Sequence, residues 1–126
     1  IDRLTEGPQV VVGSSMGGWL MLLAALARPG RVAGLMGLAA APDFTERRIW
    51  DGMDAALREH MARTGRIVIE DCYGGPPYPI THRLIEDGRD HLLLDRPIPI
   101  ACPVRLIHGQ RDQDVPWRTA LAVSPA

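Results

Sequence analysis

The chain is predicted to fold as a three-layer α/β protein, a parallel sheet flanked by helices with a helical cap inserted into it. Three observations predict it. Residues 9–12 and 32–40 are short apolar runs without polar alternation, and Val104–Ile107 repeats the pattern. An apolar, helix-like stretch, Met16–Ala27, separates the first two runs. A long segment of different composition, charged and broken by proline and glycine, separates the second from the third. Buried parallel strands read as continuous apolar runs, and their alternation with helices is the pattern of a layered α/β fold.

Taken in order, Gln9-Val10-Val11-Val12 follows Gly7-Pro8 and is expected to be a central strand covered on both faces. Met16–Ala27 carries Leu, Met and Ala on nearly every face, so it reads as a buried helix, stopped by Arg28-Pro29-Gly30. Residues 32–40 read as strand because Gly34 and Gly37 weaken a helix and Pro42 closes the run. In the insert, Ile49, Trp50, Met53, Leu57 and Met61 recur at spacings of three and four, which predicts two short helices within residues 46–64. Residues 67–70 suit a short extended piece, a Pro/Gly cluster occupies residues 73–79, and Thr81 suits an N-cap for a helix running to about Leu93. Val104–Ile107 restores the strand pattern, and Pro116 opens another helix after a polar loop. The expected organisation is a core over residues 1–42, a cap over 43–101 and core again over 102–126. Further N-terminal strands and a C-terminal histidine segment are expected to lie outside the sequence.

Bulk composition narrows the function. With 126 residues and 46% apolar content the chain can bury a real core. Its net charge of −1, with both signs interspersed, offers no basic stripe for nucleic acid or an anionic membrane. All 14 basic residues are arginine, the mark of a GC-rich genome, which hints at a bacterial source; the favoured compartment for a bacterial protein is the cytoplasm. Cys72 and Cys102 have no Cys or His at metal-ligand spacing and are expected to be reduced and structural. No apolar run reaches the roughly 18–20 residues of a spanning helix. The oligomeric state is not legible.

The chemistry concentrates in Gly13-Ser14-Ser15-Met16-Gly17, which matches G-x-S-x-G between a buried strand and a buried helix. In that context the central serine sits on a strained turn, and glycines two positions to either side avoid Cβ clashes. Ser15 is therefore the expected nucleophile, and the Met16 N–H, at the helix start, is expected to supply half of an oxyanion hole. Ser14 is the competing hydroxyl, but Val12 and Met16 stand where its glycines would have to be. A serine needs a base, and the base needs an acid to hold its tautomer. Where this motif occurs in an α/β-hydrolase, the chain order is serine, acid, histidine. The loop from His108 through Gly109-Gln110-Arg111-Asp112-Gln113-Asp114 to Val115 presents Asp112 as that acid, with Asp114 the runner-up. No histidine follows Asp112: His60, His82, His91 and His108 all precede it, and His108 reads as a structural imidazole bonding the loop.

The elbow running on to Gly18-Trp19, the stretch Ala40-Ala41-Pro42-Asp43-Phe44-Thr45, Tyr78-Pro79-Ile80-Thr81 and the acid loop through Trp117 resemble one α/β-hydrolase subgroup. It is that of the mitochondrial palmitoyl-protein thioesterase that also cleaves acyl glucuronides, with its bacterial relatives. The resemblance implies a serine hydrolase of carboxylic esters or thioesters with Ser15 as nucleophile and Asp112 as triad acid. The implied substrate is a long-chain acylated protein or a small acyl conjugate, with no metal or organic cofactor, and the compartment would be mitochondrial in a eukaryote. Trp50, Met53, Leu57 and Met61 either line an acyl channel or pack the cap. A lipase, C–C hydrolase or acyltransferase on the same triad, and a non-catalytic binding protein of the same fold, are the rival readings. Without its histidine, the chain alone is expected to be inactive.

Overall fold

Parallel neighbours cannot be joined by a tight turn, so each pairing demands a crossover. A computed structural model describes residues 1–124 and shows two such crossovers. Strand β1 (Gln9–Ser14) leads through helix α1 (Met16–Ala27) and a short 3₁₀ turn, Pro29–Arg31, to β2 (Val32–Leu38). The second crossover is the whole insert: a π-helical turn at Thr45–Trp50, then α2 (Ala55–Thr64), β3 (Arg66–Ile69), β4 (Tyr78–Thr81) and α3 (His82–Arg89). It returns to β5 (Val104–Ile107), and α4 (Arg118–Val123) follows. The sheet order is β1-β2-β5, all parallel, and the register sets Ser14 beside Leu38 and Leu38 beside Ile107. The carboxyl ends of the three strands therefore finish level.

The described residues form two compact units, one of residues 1–42 together with those from Leu93 onward, the other of residues 43–92. The cap was expected to extend to residue 101. Residues 93–101 instead belong with the sheet, where Ile98 and Ile100 join Leu22, Val104 and Leu106 around an apolar cavity of about 460 Å³. In the sheet unit α1 packs on β1 and β2, burying Trp19, Met21, Leu22 and Ala25. Val11 and Gly13 pair with Leu35 and Gly37, which pair in turn with Val104 and Leu106, so these residues share the face that α1 covers.

The opposite face corrects the expectation of strands covered on both sides. Val10 is 68% exposed, Val12 59% and Ile107 58%, and Met36 and Leu38 are also open. Among the described residues β1 is the terminal strand of the sheet, with its open edge where further strands were expected outside the sequence. Of the three expected layers, the described residues supply the sheet and one flanking layer.

The second unit has its own core of Met53, Met61, Ile67, Ile80 and Ile85, with Ile49, Trp50, Ile69 and Leu84 packed against it. Met53 and Met61 are thus spent on internal packing, whereas Leu57 is 40% exposed. Asp54 caps α2 by accepting from the Leu57 N–H at 2.8 Å, and Gly65 ends it at φ 75°. Thr81 caps α3 by accepting from the Leu84 N–H at 3.2 Å. That helix stops at Arg89, short of Leu93, where the Asp90 and His91 N–H groups close tight turns on Asp87 and Gly88. β4 was not anticipated because Pro79 falls within it. The β3–β4 ribbon has only two strands, so a proline lacking its N–H fits at its edge.

Two outcomes follow. Met61→Ala should destabilise the protein by about 2–5 kcal/mol, the range for truncating a fully buried methionine, as read from chemical denaturation. The isolated chain should self-associate through its open sheet face, and Val12→Glu with Ile107→Glu should lower its apparent mass in light scattering.

Candidate active site

At the end of β1 the chain must reverse into α1 within one residue, and that residue is Ser15, at φ 51° and ψ −122°. A positive φ costs a non-glycine residue about 1–3 kcal/mol, so the surroundings have to hold it. They do so through the backbone: the Ser15 N–H donates to Leu38 O at 3.0 Å, and Ser15 O accepts from Gly18 N at 2.9 Å and Ala41 N at 3.0 Å. The turn is tied both to its own helix and to the end of β2. Ser15 is exposed, as is Met16, whose residue opens α1.

The glycines divide differently from the expectation. A Cβ on Gly13 would strike the Gly17 carbonyl oxygen and lie 2.8 Å from Gly18 N, so that position admits only glycine. A Cβ on Gly17 would meet nothing within 4 Å. The second close approach belongs to Gly18, whose Cβ would lie 2.6 Å from the Ala40 Cα and strike its Cβ as well. The small side chain of Ala40, expected at the end of a strand and within the stretch that carries the subgroup resemblance, is what admits this contact. Ala39 also takes a positive φ of 46° and donates to Ile107 O at 2.9 Å, carrying the same edge across to β5.

Beyond β5 the loop folds around the Asp112 carboxylate. Asp112 Oδ1 accepts from Asp114 N at 3.0 Å and Val115 N at 2.9 Å, and its own N–H donates to Gly109 O at 3.1 Å. Asp114 contributes its backbone to this turn, which distinguishes the two carboxylates by position. His108 Nε2 donates to Val115 O at 2.8 Å and lies 3.8 Å from Asp112 Oδ2, too long for a hydrogen bond. The His108 and Asp112 side chains are only 6% and 12% exposed. With Nε2 bonded to a carbonyl and Nδ1 buried without a partner, His108 is not disposed as a general base.

Ser15 and Asp112 thus both follow the carboxyl ends of strands in one parallel sheet, two strand spacings apart. The other histidines belong to the second unit: His60 and His91 are exposed, and His82 stands 3.7 Å from Glu86 with its ring 6.0 Å from that of Trp50. Among the described residues no group of three or more His, Cys, Asp or Glu could hold a metal ion, and both cysteines are free thiols.

No family model matches the chain. Individual proteins do. The mitochondrial palmitoyl-protein thioesterase ABHD10 of Rattus norvegicus is 40% identical over 125 residues, 98% of this chain and 42% of its own length. The Homo sapiens protein of that name is likewise 40% identical, with 40% of its length covered. The chain therefore spans about two fifths of the length of these relatives. Among solved structures, alpha/beta hydrolase domain-containing protein 10 from mouse superposes with a TM-score of 0.84 at 40% identity. A hydrolase from Agrobacterium vitis S4 gives 0.90 at 33% identity, and each match covers 97% of this chain and 49% of the other. Est1E from Butyrivibrio proteoclasticus, at 22% identity and a TM-score of 0.60, shares the fold.

The chain has a partial α/β-hydrolase fold with the strand-turn-helix geometry of a nucleophile elbow. Within that class its resemblance is specifically to palmitoyl-protein thioesterase ABHD10.

The glycine geometry separates two substitutions that the motif alone treats alike. Gly18→Ala should cost about 1–3 kcal/mol through overpacking against Ala40, whereas Gly17→Ala should be neutral or slightly stabilising in thermal unfolding.

Proposed function

We propose that the full-length protein is a serine hydrolase that cleaves carboxylic esters or thioesters through an acyl-Ser15 intermediate, in the manner of a palmitoyl-protein thioesterase. The observation that carries this reading is Ser15 itself, exposed at a positive φ between the end of a parallel strand and the start of a helix. Nothing in packing requires a serine there, and the strained turn is what lifts a hydroxyl off the sheet edge.

In this reading Ser15 Oγ attacks the acyl carbon while a histidine base takes its proton. The Met16 N–H, at the positive end of α1, stabilises the oxyanion, a donor of the kind whose loss costs about 10²–10³ in turnover. The base returns the proton to the leaving thiol or alcohol, and water then releases the acyl group by the same steps. Asp112 holds the base in its correct tautomer and stabilises the imidazolium. The two backbone bonds to Oδ1 support this role, since they fix the carboxylate within its loop. The relatives' name supports a long-chain acyl thioester as substrate, and a small acyl conjugate is the second candidate. The relatives are named as mitochondrial, which supports that compartment if the source is eukaryotic; if the source is bacterial, as the arginine-only basic set hints, the expected compartment is the cytoplasm.

In the full-length protein, Ser15→Ala should abolish labelling by a fluorophosphonate probe and Ser14→Ala should leave it intact. Labelling that survives in the Ser15→Ala protein would refute the nucleophile. Residues 1–126 alone should hydrolyse nitrophenyl esters and acyl thioesters no faster than their own Ser15→Ala control. A triad deprived of its base loses about 10⁶-fold, as in a well-studied protease. Turnover well above the control would mean that a histidine of this chain serves as base.

A further inference from the structure

The imidazole of His108 is an expensive group in its setting. It is 6% exposed and its Nδ1 is buried without a hydrogen-bond partner. A buried polar atom left unpaired carries its full desolvation penalty, which an apolar ring of the same shape would avoid. The contact that sets a histidine apart from such a ring is the one from Nε2 to Val115 O, at 2.8 Å. Val115 is itself buried, and its peptide N–H is held from the other side by Asp112 Oδ1 at 2.9 Å. One residue, Val115, is thus gripped through its carbonyl by His108 and through its N–H by Asp112.

We propose that His108 is a positioning residue for hydrolysis: by fixing Val115 it fixes the Asp112 carboxylate, and with it the base that Asp112 orients. The inference rests on the assignment of Asp112 as the triad acid. Nε2 stands 3.8 Å from Asp112 Oδ2, so the effect is not transmitted by a direct hydrogen bond. It passes through the loop. When the Nε2 donor is lost, the Val115 backbone relaxes, the bonds from Val115 N and Asp114 N to Oδ1 loosen, and the carboxylate is free to rotate. The base then loses both its aim and the charge that stabilises its protonated form.

The test uses the full-length protein and three replacements at one site. In His108→Gln an amide N–H stands near the original Nε2 position and reaches Val115 O. In His108→Asn the amide is too short to do so, and His108→Phe keeps the ring without a donor. The Gln variant should stay within about threefold of wild type in kcat, while Asn and Phe should fall roughly ten- to hundredfold with KM unchanged, as a displaced catalytic group does. In the two defective variants the acid limb of kcat/KM should move to lower pH, because an imidazolium that loses a neighbouring carboxylate has a lower pKa. Loss of fold alone would reduce the amount of active enzyme without moving that limb. Wild-type kcat and limb in His108→Asn, or a Gln variant as poor as Asn, would overturn the proposal. If the Phe variant does not fold, the Gln and Asn pair decides. The underlying assignments have separate controls: probe labelling that survives Ser15→Ala sinks the nucleophile, and full activity in Asp112→Asn sinks the acid, whatever the His108 series shows.

Discussion

Ser15 at φ 51° is held by three backbone hydrogen bonds, to Leu38 O and from Gly18 N and Ala41 N. The dihedral costs about 1–3 kcal/mol, and three such bonds at about 0.5–1.5 kcal/mol each offset it. Their geometry also dictates the packing around them. To reach Ser15 O, Gly18 must approach within contact of Ala40, and to enter the turn β1 must pass against Gly17 at Gly13. The same bonds lock β1 to the end of β2, so the register of the parallel pair and the exposure of one hydroxyl have a common cause. A strained turn of this type is kept by backbone bonds rather than side-chain packing, which leaves its side chain unencumbered.

The second crossover explains how a large insert coexists with that constraint. β2 and β5 are parallel, so some excursion between them is obligatory, and its length is thermodynamically forgiving. Residues 43–92 fill it with a unit that satisfies itself. Its five-residue core is internal, and the guanidinium groups of Arg58 and Arg89 stand over the Trp50 ring, 5.0 and 4.6 Å from its centroid. Arg89 is fixed in turn by Glu46 at 2.7 Å, and that hydrogen bond raises its pKa further. Such a unit can vary in sequence without altering the Leu35–Val104 pairing where β5 rejoins the sheet.

Local chemistry was legible where one residue type answered one geometric demand. Gly13, Ser15 and the end of α1 at Arg28-Pro29-Gly30 could be placed from sequence alone, as could the caps at Thr81 and the strand at Val104–Ile107. What escaped depended on long-range contact. Gly17 fits the motif but a Cβ on it would point into open space, while Gly18, outside the motif, meets Ala40 from a different element. Ala39 and Asp43 adopt positive φ at 46° and 59°; aspartate tolerates that region better than most residues, whereas nothing about an alanine announces it. The π-helical turn at Thr45–Trp50 follows a helical period closely enough that residue spacing cannot tell the two apart. Val10, Val12 and Ile107 read correctly as residues fit for burial, yet burial depends on a covering layer, and periodicity is blind to whether one is present.

In the proposed reading the spacing of the sheet also bears on why the acid follows β5 and not β2. Strands lie about 4.8 Å apart, so groups following β1 and β5 are separated by roughly 9.6 Å of backbone. A neighbouring strand would set serine and carboxylate close enough to bond each other, and the hydroxyl would donate to the acid directly. Two spacings leave room for one imidazole with a hydrogen bond of about 2.8 Å at each end. His108 is not free to fill that gap, because its Nε2 is committed to Val115 O. The proposed nucleophile and the proposed acid are thus both held by backbone: Ser15 by the turn, Asp112 by the bonds to Oδ1.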